Sequence, residues 1–135
     1  MVTVNRIGHF NAAHRLHNPD LSAAENQLLF GLCNNEYFHG HNYEYIVSIS
    51  GEVNPKTGYV VDLKWLADLM KDKVENIYDH KNLNLQVKPF DHVNPTAENI
   101  SIEIWKILRP EIPSNLQLKV TLYETPRNYV EYNGK

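Results

Sequence analysis

Apolar and polar residues alternate most cleanly between residues 42 and 50. Tyr43, Tyr45, Val47 and Ile49 fall between Asn42, Glu44, Ser48 and Ser50, with Ile46 the one exception. A period of two over that length predicts a half-buried strand. Leu116, Leu118, Val120 and Leu122 repeat the pattern, and Thr125-Pro126-Arg127-Asn128 reads as a hairpin turn into a last strand, Tyr129 to Tyr132. Residues 2 to 14 are rich in β-formers and short polar residues and predict a first strand, ending before the Asn18-Pro19-Asp20 turn.

Between the strand pairs the period changes. Asp62 is suited to cap a helix running to about Tyr78, with Leu63, Leu66, Ala67, Met70, Val74 and Ile77 on one stripe. A second helix opens after Asn94-Pro95-Thr96, buries Ile100, Ile104, Ile107 and Leu108, and closes at Pro110. A short helical pattern over 22 to 31 (Glu25, Leu28, Leu29) stops at Gly31, which leaves Cys33-Asn34-Asn35 in a loop. The Asn54-to-Gly58 stretch is a turn. The expected fold is α+β, in the order ββααββ: a four-stranded antiparallel sheet with two helices on one face. Such a sheet has two open edges, through which copies could pair.

At 135 residues the chain is expected to form one domain spanning 1–135, with 42% hydrophobic and 21% charged residues and no repeat or low-complexity tract. Met1 to His14 lacks the basic start and apolar core of a secretory leader, and no apolar run is long enough for a bilayer. A single cysteine suits a reducing compartment, so the expected location is the cytoplasm. A net charge of −3 without a Lys/Arg cluster argues against nucleic acid as a partner.

Seven histidines is a high count for this length. His39-Gly40-His41 stands at the head of the second strand, where two imidazoles one residue apart share a face. Such a pair is half of a zinc site. Cys33, just upstream, offers either a further ligand or a nucleophile and base. Asp79-His80 after the first long helix suggests a carboxylate orienting an imidazole, or a favourable charge at a helix end. Helix capping is the plain role for Thr96 and Glu98.

His14-Arg15-Leu16, Phe30 to Asn35, His39 to Tyr43, Asp79 to Leu83, Thr96 to Asn99 and Tyr123-Glu124-Thr125 occur in order over nearly the whole chain. In this the sequence resembles the 6-pyruvoyl-tetrahydropterin synthase family, which includes the 6-carboxy-tetrahydropterin synthases of queuosine biosynthesis. The resemblance implies the tunnelling fold, in which trimers close their sheets into a barrel and stack as homohexamers with active sites between subunits. It implies one Zn2+ per subunit on His14, His39 and His41, with Cys33 as proton-abstracting base. His80, beside Asp79, becomes a relay or general acid, and Glu124 the anchor of the pterin. Thr96 and Glu98 would add contacts to the ring. A closed site with Cys33 as fourth ligand is the alternative, and His17 is a rival to His14.

The implied reaction is elimination of triphosphate from 7,8-dihydroneopterin triphosphate. The five residues between Cys33 and His39 resemble the pyruvoyl-forming branch of tetrahydrobiopterin biosynthesis, whereas Pro95-Thr96-Ala97-Glu98 has a form common in the queuosine branch. A pterin-binding or zinc-stabilised assembly protein without turnover is the third reading. Arg15, Lys81 and Arg127 are candidate cations for the triphosphate, and no residue pattern calls for Mg2+.

Overall fold

A computed structural model describes residues 1–135. Two long strands dominate it: β1 (Val2–His14) and β2 (His39–Gly51) pair antiparallel along their full length, from Val2 opposite Gly51 to His14 opposite His39. β4 (Gln117–Thr125) adds to the far side of β2, and β5 (Asn128–Tyr132) to β4. Alternation sets the faces. Tyr43, Tyr45, Val47 and Ile49 of β2 are fully buried, with Leu118, Val120 and Leu122 of β4 beside them. They form one 21-residue core with the helices.

The sheet differs from the expected four antiparallel strands. It has five, in the order β3-β1-β2-β4-β5, and β3 (Lys81–Asn82) runs parallel to β1 at Ala12 and Ala13. Two residues are too few to show any period. What places them is backbone geometry: His80 adopts a left-handed φ of 61° and its N–H donates to Asn11 O at 2.7 Å, laying the following chain along the end of β1.

Helix α2 (Leu63–Met70) begins at Asp62, whose side chain accepts from Lys64 N. It passes through a π turn (Lys71–Glu75) into α3 (Asn76–Tyr78). The residues facing the core are Leu66, Met70, Val74 and Tyr78, spaced by four, while Leu63 and Ile77 are exposed. A π turn lengthens the local repeat, which rotates Tyr78 inward in place of the expected Ile77. After α4 (Leu83–Gln86), α5 (Ala97–Leu108) is capped by Thr96 and buries Ile100, Ile104 and Leu108. No helix is long and apolar enough to cross a membrane.

Helix α1 (Ala23–Phe30) opens with a capping box between Ser22 and Glu25 and ends in a 3-10 turn, Gly31–Asn34. The helix expected over 22 to 31 is present, but its leucines do not face the core: Leu28 and Leu29 are exposed, and Asn26 is its buried residue. Asn26 turns inward because its side chain binds Asn18 at both N and O, and Leu21 O and Ser22 O besides.

Candidate metal centre

The inward-facing register of the sheet runs out of hydrophobic residues at one end and continues in imidazoles. On β1 the buried series Phe10, Ala12 ends in His14, which is wholly buried. On β2 the series Ile49, Val47, Tyr45, Tyr43 continues to His41 and His39. Because His14 lies directly opposite His39 and His41 is two residues along, strand pairing alone brings the three rings together. Their centroids are 4.6, 5.1 and 5.0 Å apart, all edge to face. One ring nitrogen from each lies within 4.8 Å of the others.

Hydrogen bonds give the cluster a direction. His14 Nδ1 donates to Pro95 O at 2.7 Å, so Nε2 carries the ring's lone pair. Tyr43 Oη approaches the same ring at 3.3 Å from Nδ1 and 3.5 Å from Nε2. Both nitrogens of His39 and Nε2 of His41 are buried without any partner. Buried polar groups are nearly always paired, so unpaired nitrogens on two adjacent rings beside His14 need something to bind. Burial pushes the His14 pKa down to about 4, more than offsetting its bond to Pro95, and neighbouring His39 and His41 push the same way. Burial, then His41, lowers that of His39, partly opposed by Glu124. Neutral imidazoles with outward lone pairs are the form that holds a divalent cation. The donor set fits a metal ion.

Glu124 follows Leu122 on the inward register of β4, so its carboxylate reaches the same corner. Oε1 is 3.7 Å from His41 Nε2 and Oε2 is 4.0 Å from His14 Nε2. These distances are contacts between charges and dipoles rather than hydrogen bonds. Cys33, half-buried in the 3-10 turn, is a free thiol outside the three-residue ligand group. Burial raises the pKa of the Tyr43 phenol, and the charges of Glu124 and then Cys33 raise it further. Thus three imidazoles and a carboxylate border one corner.

His17 is not part of this cluster. Its Nδ1 is engaged by Asn34 Nδ2 at 2.9 Å. Thr96 sits next to the Pro95 carbonyl that orients His14, but its own hydroxyl accepts from Asn99 N as a helix cap. Glu98 is exposed in the first turn of α5. Asp79 and His80 stand apart. Asp79 Oδ1 accepts from Asn11 N at 2.8 Å, and His80 Nδ1 is 3.0 Å from its other oxygen. The mostly exposed His80 borders a groove with Asn11, Ala13, Gly40 and Asn42 of the register opposite to that of the three imidazoles, and with Ala12 and His41 of the inward register. Within one chain this pair is on the outer face of the sheet. Of the candidate cations, Arg15 spends Nε on Asn34 O, Lys81 borders the His80 groove and Arg127 lies exposed in the β4–β5 turn.

Sequence reasoning missed the carbonyl of Pro95 and the phenol of Tyr43. A backbone acceptor leaves no mark on residue type. Tyr43 was legible as a core residue, and only the strand register shows that it is the last one before the imidazoles.

The profile of the family described as 6-pyruvoyl tetrahydropterin synthase matches residues 3–135. The human 6-pyruvoyl tetrahydrobiopterin synthase is 42% identical over 132 residues, covering 98% of this chain and 91% of the human protein. The Dictyostelium discoideum protein of the same name is 39% identical over 126 residues, 93% of this chain and 91% of its own. The solved structure of Caenorhabditis elegans 6-pyruvoyl tetrahydropterin synthase superposes with a TM-score of 0.93 at 43% identity, covering 99% of this chain and 96% of that one. With its sheet, its histidine corner and these relatives in agreement, the chain belongs to the 6-pyruvoyl tetrahydropterin synthase family.

Proposed function

We propose that the chain is a carbon–oxygen lyase that converts 7,8-dihydroneopterin triphosphate to 6-pyruvoyl-tetrahydropterin and triphosphate. The observation that carries this reading is the trio of imidazoles, two of them with unpaired buried nitrogens, bordered by Glu124 in a chain that has one free thiol and is 42% identical to the human synthase. His14, His39 and His41 would hold zinc, the ion suited to three nitrogen donors with an open fourth position. Bound there, zinc supplies Lewis acidity to the hydroxyls of the substrate side chain.

The residues of the chain do the rest. Glu124 offers two acceptor oxygens to the ring N–H and amino group that a pterin presents side by side, and so orients the side chain toward Cys33. Cys33 as thiolate takes a proton from the side-chain carbon. The electrons pass into the ring, triphosphate leaves, and proton return gives the diketone; oxidation of the side chain is balanced by reduction of the ring. His80, oriented by Asp79, handles proton return. Since this pair is on the outer face, the reading has it serve a centre in a neighbouring copy, as inter-subunit sites of a hexamer require. Thr96 and Glu98 line the approach to the ring, the whole chain acts as one such domain, and the cytoplasm is its place.

The test is product analysis. Zinc-loaded protein given 7,8-dihydroneopterin triphosphate should release triphosphate and the pyruvoyl pterin. Acetaldehyde among the products would move the chain to the queuosine branch, and unchanged substrate would overturn the lyase reading.

A further inference from the structure

We propose that Asn34 is a positioning residue for the Cys33 thiol, fixing it relative to His14. The proposal rests on the catalytic reading of Cys33 given above. After His14 the chain continues as an extended strap, Arg15 to His17, and the 3-10 turn carrying Cys33 is fastened to it at four points. Leu16 N donates to Cys33 O and Arg15 Nε donates to Asn34 O, each at 2.9 Å. Asn34 Nδ2 donates to Leu16 O at 2.7 Å and meets His17 Nδ1 at 2.9 Å. A carbonyl can only accept, so the contact to Leu16 O settles which way the Asn34 amide faces, and both its N–H groups go to the strap. Cys33 is thereby tied through its own carbonyl and through its neighbour to residues one to three places from a histidine of the centre.

Apolar burial near the turn is slight, with Phe30 and Phe38 only half-buried on either side of it. From Ser22 to Phe38 the buried residues are Asn26 and Asn34; Leu28 and Leu32 are about as exposed as side chains become, at 90% and 91%. The turn has no hydrophobic anchor, and Asn34, itself only 8% exposed, takes that place with directional bonds. Hydrogen bonds fix distance and angle where dispersion contacts would permit sliding, and a thiol that must meet one C–H needs that control.

Asn34→Ala removes the two side-chain bonds. Asn34→Asp keeps the shape but points an oxygen at Leu16 O, and serves if the alanine variant folds poorly. In either, kcat should fall about 10- to 100-fold, the scale of a sub-ångström to ångström misplacement, while KM and bound zinc per chain stay within about twofold. Full kcat in both variants would overturn the proposal. So would zinc loss in step with kcat, which would make Asn34 a support for His14 instead. Cys33→Ala, measured alongside, keeps the two claims apart. If it retains turnover, the catalytic reading of Cys33 fails; if it is inactive while both Asn34 variants are fully active, the clasp alone fails.

Discussion

The two halves of β2 follow one alternation and do opposite things with it. From Tyr43 to Ile49 the inward positions bury aromatic and aliphatic side chains that hold the helices to the sheet. From His39 to His41 the same positions hold imidazoles of which both His39 nitrogens and His41 Nε2 are buried without a hydrogen-bond partner. The first half gains stability by removing apolar area from water, about 25 cal/mol per Å2. The second half costs stability, because each desolvated and unpaired nitrogen gives up its bonds to water. One strand therefore carries core residues and candidate metal ligands in series, and substitutions in the two halves should fail in different ways.

The largest effect is expected at the imidazole end. His39→Ala should abolish turnover and zinc retention, yet leave the stability of the metal-free protein within about 1 kcal/mol of the parent, since the ring it deletes was unsatisfied. Zinc should raise the melting temperature of the parent through linkage and leave that of the variant unchanged. A large loss of metal-free stability would show that the ring packs as core. At the other end, Ile49→Ala should cost about 2–5 kcal/mol in denaturant unfolding, because a fully buried side chain leaves a cavity. The folded fraction of that variant should bind zinc with parental stoichiometry, and loss of zinc there would join the two halves into one unit.

This division also explains which features the sequence made legible. A period of two runs unbroken through Tyr43 into His41 and His39, so the strand, its faces and two of the three imidazoles follow from one pattern. His14 was placed through family likeness, and the pairing of β1 with β2 supplies the geometric reason. Features set by backbone were invisible: Pro95 acts through its carbonyl, and β3 is held by the N–H of His80. Ile77 falls off the buried stripe because a π turn changes the helical repeat without changing residue type, and no pattern of residue types shows that a buried Asn26 sets the orientation of α1. Asp79-His80 was legible as a pair, but which face it takes depends on a turn that no periodicity describes.

β4 repeats the comparison on a smaller scale. Leu118, Val120 and Leu122 are buried, and Glu124 next on that face is partly open toward the centre. Glu124→Gln keeps the volume and one acceptor oxygen but removes the charge. A hydrogen bond to a charged group is worth about 1.5–3 kcal/mol, so KM for the pterin substrate should rise about 10- to 100-fold in steady-state kinetics. Stability should change by no more than about 0.5 kcal/mol, because no hydrogen bond of the fold uses this carboxylate. An unchanged KM would remove Glu124 from pterin recognition.

The smallest effect belongs to the outer face, where Asp79 joins the end of α3 to β1. The N–H of Asn11, and secondarily His80, hold its carboxyl below the usual carboxylate range. A depressed folded pKa means that ionised Asp79 contributes stability above its unfolded pKa of about 4, and that this contribution is lost as pH falls through the lower folded value. Asp79→Asn should therefore unfold slightly more easily than the parent at pH 7, by a modest amount because the side chain is 40% exposed and solvent screens it. Denaturant midpoints measured from pH 7 down to pH 2.5 should converge at the acid end. A gap that persists at low pH would mean that the amide fails to take over the Asn11 bond, making the contact one of shape rather than charge; a gap that widens with acid would reverse the sign and disprove the assignment of Asp79 as the stabilising anion at this joint.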